Sequence, residues 1–120
     1  MSKANNVWIV DDDRSIRWVL EKALNGAGID TQTFDSAEVI SQRLKSEQPD
    51  AIISDIRMPG IDGLELLGMI GRDHPGLPVI ITTAHSDLDS AVASYQGGAF
   101  EYLPKPFDID EVVAMTKRAL

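Results

Sequence analysis

The chain contains no cysteine. That excludes disulfides, thiolate nucleophiles and thiolate-held metals, and it fits a reducing compartment. Long apolar runs are missing too. No stretch approaches the roughly 20 residues of a membrane-spanning helix, and the opening "MSKANN" has no signal-peptide core. The expectation is a cytoplasmic protein with no membrane partner. Basic residues are scarce, with Lys and Arg totalling 11 against 19 Asp and Glu, for a formal net charge of −8. A phosphate backbone repels such a surface, so direct nucleic-acid binding is not expected. Aromatics are few, and Trp8 and Trp18 read as core and helix surface rather than as base-stacking platforms. No Gly-rich loop of P-loop or dinucleotide type follows the first apolar run, which argues against nucleotide binding. Repeats, linkers and low-complexity segments are also absent.

What is present suits one folded domain over residues 1–120. Hydrophobic residues make up 43% of the chain, enough for a single core and too many for disorder. "VWIV" (Val7–Val10), "AIIS" (Ala51–Ser54) and "VIIT" (Val79–Thr82) are continuous apolar runs, as in parallel strands covered on both faces. "TQTF" (Thr31–Phe34) and "EYL" (Glu101–Leu103) are more polar and suit sheet edges. Between them lie helical stripes. Ile16, Val19, Leu20, Ala23 and Leu24 form the first, ended by Gly26 and Gly28. Ser36 is placed to cap a second, with Ile40 and Leu44 inward. Leu64, Leu67 and Ile70 mark a third. Ser86 with Asp89, and Asp108 with Glu111, read as capping boxes for two more. The Ser86 helix carries Leu88, Ala91, Val92 and Tyr95, and the Asp108 helix carries Ile109, Val112, Val113, Thr116 and Leu120. Alternation of five strands and five helices implies an α/β, flavodoxin-like, doubly wound parallel sheet of order 2-1-3-4-5. The final helix reaches the end of the chain without a cap or glycine, as expected of a domain belonging to a longer protein.

In such a sheet, ligands bind beyond the carboxyl ends of the strands where the order reverses. Asp11 and Asp12 follow the first strand and Asp55 follows the third, its neighbour. Two unit charges about 4 Å apart repel by roughly 4 kcal/mol at an effective dielectric near 20. Either protons are retained or a cation fills the site. Oxygen ligands, few carboxylates and a phosphate suit Mg²⁺. A carboxylate there can also accept a phosphoryl group. Thr83 and Lys105 reach the same rim and can both contact phosphoryl oxygens. Lys105 lies in "LPKPF", held between two prolines. "MPGIDG" lets the chain leave the third strand sharply, so Asp55 is expected to be exposed, with a backbone carbonyl such as that of Arg57 within reach of a metal. Asp13 belongs to the same "DDD" run and equally suits a helix cap.

The run also contains an Asp-x-Asp, Asp11 and Asp13, which resembles the nucleophile and general acid of haloacid-dehalogenase-type phosphatases. That alternative needs a further acidic motif and leaves Asp55 unexplained.

"IVDDD", "SDIRMPGIDG", "ITTAHS" and "YLPKPF", in this order, resemble the receiver domain of bacterial two-component response regulators. The stretches "VWIVDDDRSIRWVLEKAL", "TAHSDLDSAV" and "GAFEYLPKPFDIDE" are similar to the receivers of nitrogen-regulation regulators within that family. The resemblance implies a signalling switch rather than an enzyme. Asp55 would take phosphate from a phosphohistidine on a sensor histidine kinase, with slow loss of the phosphoryl group afterwards. Asp11 and Asp12 would hold Mg²⁺ with Asp55 and the backbone of Arg57, and Asp13 leaves the choice of pair open by one position. Thr83 and Lys105 would bind phosphoryl oxygens, and Tyr102 would be the aromatic that reorients. The Lys105–Pro106 bond would be cis. An ATPase domain for the alternative sigma factor and a DNA-binding domain would follow in a full-length transcription activator, with homodimer formation on phosphorylation. Gly97–Gly98 departs from the family pattern and bears on where the Ser86 helix ends. That short, serine-bearing helix and the fifth strand are expected to form the bistable element.

Overall fold

The computed structural model describes residues 5–83, 92–93 and 96–120. Its strands are β1 (Asn6–Val10), β2 (Asp30–Phe34), β3 (Ala51–Asp55), β4 (Val79–Thr83) and β5 (Glu101–Pro104). They pair in parallel in the order β2-β1-β3-β4-β5. The apolar runs take the middle, and every residue of β3 and β4 is buried. The polar runs take the edges, where one side of the ladder meets solvent.

Four helices stand among the described residues: α1 (Arg14–Gly26), α2 (Ala37–Arg43), α3 (Gly63–Asp73) and α4 (Ile109–Ala119). Successive strand residues point to opposite faces, so the sheet carries two separate cores. Trp8, Val10, Ile52 and Ile81 meet α2 and α3 through Ile40, Leu66, Leu67 and Ile70. Val7, Ile9, Ile53, Ile80 and Leu103 meet α1 and α4 through Leu20, Leu24, Val112 and Met115. Trp8 is fully buried and Trp18 lies exposed on α1, as expected.

Carboxylates start three of the helices. Asp13 accepts from the amides of Ser15 and Ile16, Asp62 from Glu65 and Asp108 from Asp110. Ser36 stands at the N-cap of α2, but its hydroxyl makes no cap hydrogen bond. Ile109, on the expected stripe, is exposed, while Met115 is buried.

The expected helix from Ser86 to Gln96 lies largely outside the described residues. Val92, Ala93 and Gln96 are helical, and the Gly97 amide donates to the Ala93 carbonyl at 2.9 Å. Gly98 then takes φ +98°, a left-handed value suited to glycine, so the turn ends at the glycine pair.

Candidate functional site

Parity along the strands decides which side chains meet. Ile9, Ile53 and Leu103 face the core under α1 and α4. Two residues further on, Asp11, Asp55 and Lys105 emerge on that same face at the carboxyl edge. One ligand oxygen from each of Asp11, Asp12 and Asp55 lies within 4.8 Å of the others. Lys105 Nζ sits among them, 2.9 Å from Asp11 Oδ2 and 3.4 Å from Asp55 Oδ1.

Asp11 and Lys105 are anchored from the backbone. Asp11 donates its amide to the Phe34 carbonyl, and its own carbonyl accepts from Arg17 Nη1 at 2.7 Å. Asp11 Oδ1 accepts the Asp13 amide at 2.8 Å. Lys105 donates its amide to the Thr83 carbonyl at 2.6 Å, and the Lys105–Pro106 bond is cis.

The expectation of an exposed Asp55 is corrected. It is 8% exposed and Asp11 is 1% exposed, while Asp12 stands open to solvent. The turn does leave the strand sharply, but Lys105 arrives from β5 to pair with Asp55. Burial pushes the Asp55 carboxyl above its ordinary value. The Asp11 charge pushes the same way, and Lys105 pulls back only in part. Burial by itself would lower the Lys105 ammonium. The hydrogen bond and charge of Asp11, joined by those of Asp55, outweigh it, and the net direction is upward.

Asp13 caps a helix. Its carboxylate is taken up in capping α1, with Oδ1 2.8 Å from the Ser15 amide, and the acidic group is formed by Asp12 instead. The Asp13 amide also donates to Asp11 Oδ1 at 2.8 Å. Thr83 ends β4, 5% exposed, and by parity faces the α2 and α3 side. Tyr102 lies half-buried on that face against the same core. Arg57 lies two residues past β3 with its side chain exposed.

Three features escaped sequence reasoning. A Cβ at Gly63 would collide with the Asp55 carbonyl oxygen and the Ile56 backbone, so this glycine lets α3 start directly against the site strand. Glu38 of α2 accepts the Ile61 amide at 3.1 Å and pins the loop after Asp55. That hydrogen bond lowers the Glu38 carboxyl. Thr82 is buried beside Asp55, with no hydrogen-bond partner for its hydroxyl among the described residues. Only Gly63 left a local signal, in "MPGIDG".

The donor set, three carboxylates beside a half-buried ammonium, is chemically suited to a hard cation and a phosphoryl group. Residues 7–117 match the response regulator receiver domain. The chain is 63% identical over 114 residues to the DNA-binding transcriptional regulator NtrC of Escherichia coli K12, covering 95% of this chain and 24% of that protein. It thus spans about a quarter of the length of such curated relatives. Among solved structures, the apo receiver domain of NtrC superposes with TM-score 0.86 at 63% identity, covering 96% of this chain and 93% of that one. The BeF3-activated receiver domain of NtrC superposes with TM-score 0.82 at 61% identity, covering 98% and 95%. Strand order, the acidic rim and these likenesses agree, and the chain belongs to the response regulator receiver domain family.

Proposed function

We propose that this receiver domain is a phosphoryl-accepting switch whose acceptor is Asp55. The observation that carries the reading is the convergence of Asp11, Asp12 and Asp55 at the reversal of strand order, with Lys105 Nζ against Asp11 and Asp55. An Asp55 carboxylate oxygen attacks phosphorus on the phosphohistidine of a sensor histidine kinase. The P–O bond forms as the P–N bond breaks, and the histidine nitrogen leaves with the electron pair. Asp11, Asp12, Asp55 and the backbone carbonyl of Arg57 would hold Mg²⁺, whose bound charge offsets that of the phosphoryl oxygens. Lys105 would contact those oxygens through its ammonium, and Thr83, which faces the other side of the sheet, would do so by turning its hydroxyl toward them. Turnover ends in slow hydrolysis, so the domain acts as a switch and not as a classical enzyme.

Thr83 and Tyr102 share one face of adjacent strands. Drawing the Thr83 hydroxyl toward phosphate opens room for the Tyr102 ring, and the segment between them carries the signal. The likeness to NtrC supports an output in nitrogen-regulated transcription through attached ATPase and DNA-binding domains. It also supports a cytoplasmic setting and pairing of phosphorylated copies. No helix among the described residues is long and apolar enough to cross a membrane.

The test is intact mass after incubation with acetyl phosphate and Mg²⁺. One added phosphoryl group is expected on the parent and none on Asp55→Asn or in EDTA. An unlabelled parent, or an Asp55→Asn variant that labels like the parent, overturns the reading.

A further inference from the structure

β4 runs between β3, which ends in Asp55, and β5, from whose exit Lys105 extends. Asp55 is in register with Thr82, and Thr82 with Leu103. Ile80 and Leu103 face the core under α1 and α4, so Thr82 and Lys105, each two residues on, face that way too. Lys105 nevertheless reaches Asp11, beyond both β4 and β3. Its side chain therefore crosses β4 on the face where Thr82 is the last strand residue.

Thr82 is 1% exposed, and among the described residues its hydroxyl has no hydrogen-bond partner. Thr116, equally buried on α4, shows the ordinary arrangement, with its hydroxyl donating to the Val112 carbonyl at 2.8 Å. Buried hydroxyls are nearly always paired, and an unpaired one destabilises the state that contains it. Valine would fill the same space without that cost.

Asp11 is already engaged on both oxygens, by the Asp13 amide and by Lys105 Nζ. A cation that takes Asp11 as a ligand competes with the ammonium for Oδ2 and repels its charge. Once released, Nζ has to withdraw along its own path, back across β4. We propose that the Thr82 hydroxyl accepts a hydrogen bond from the Lys105 ammonium when Lys105 releases Asp11, which makes Thr82 a positioning residue for the phosphoryl site. The inference rests on the cation-dependent reading above. The hydroxyl is unpartnered in the resting arrangement and partnered in the loaded one, so it favours the loaded one.

The test uses the 120-residue chain with Thr82→Val and Thr82→Ser. Thermal melts are taken without metal, and Mg²⁺ affinity is measured by calorimetry. Thr82→Val is expected to melt no lower than the parent without metal. Its Mg²⁺ affinity should be weaker by roughly tenfold, the scale of one hydrogen bond to a charged group. Thr82→Ser should return to parental affinity. A hydroxyl that merely supports the fold would move the melts instead. Parental Mg²⁺ affinity in Thr82→Val, or a lowered metal-free melting temperature, overturns the inference while leaving the phosphoryl switch standing. A parent that takes up no Mg²⁺ overturns both.

Discussion

Two layers of side chains on one face of the sheet are both largely buried and differ in chemistry. The lower layer is Ile9, Ile53, Ile80 and Leu103, each at most 1% exposed. The upper layer, two residues along the same four chain paths, is Asp11, Asp55, Thr82 and Lys105. Asp11 and Thr82 are as buried as the isoleucines below, and Asp55 nearly so. The lower layer gains from leaving water. The upper layer loses, because acids are crowded, one ammonium serves two carboxylates and a hydroxyl has no partner. The fold holds in place a rim that would not assemble unaided, and the rim's residual charge is what gives it chemistry.

The sharpest way to separate the layers is to damage the lower one. Ile80→Ala should cost about 2–5 kcal/mol by urea unfolding, the range for truncating a fully buried aliphatic side chain. Next comes the junction. Gly63→Ala sets a methyl group against the Asp55 carbonyl and should cost about 1–3 kcal/mol, with faster exchange of the Ile56 amide.

Damage to the upper layer should have the opposite sign. Asp55→Asn should raise the metal-free melting temperature at neutral pH. Folding raises the Asp55 carboxyl above its ordinary 3.8, so its protonated form is favoured in the native state. Whatever stability that gives is complete below pH 3.8 and is lost as pH rises through the folded value. The advantage of Asp55→Asn should therefore open above that pH and then level off. A gap constant with pH would contradict the burial of a charged Asp55. Lys105 carries the same sign further up, since folding raises its ammonium above 10.5 and its contribution fades only in stronger alkali. The smallest effect is expected at Glu38, which is exposed. Glu38→Ala should leave the melt nearly unchanged while speeding hydrogen exchange at Ile61, whose amide it holds.

The sheet was legible because continuous apolar runs at the middle positions and polar runs at the edges have one economical arrangement. The rim was legible for a related reason, since acids ending two neighbouring strands must meet. What the chain could not reveal locally was depth. Asp55 looked exposed because its turn residues are flexible, whereas its cover comes from Lys105, 50 residues away. The Glu38 clasp on Ile61 was hidden likewise, as a contact 23 residues apart with no motif to mark it. Asp13 was ambiguous in sequence because capping and metal binding ask for the same side chain, and only the path into α1 separates them. Leu66 and Met115 were missed as core because a stripe drawn at one spacing omits the flanking position that the packed helix also buries.

The most direct test is a Mg²⁺ titration of the metal-free protein followed by backbone amide shifts. The expected result is a saturable change concentrated at residues 11–13, 55–57 and 105, absent in Asp55→Asn at the same concentrations. Shifts that are missing, or scattered evenly over the lower layer and the helices, would mean that the buried acids do not form a cation site.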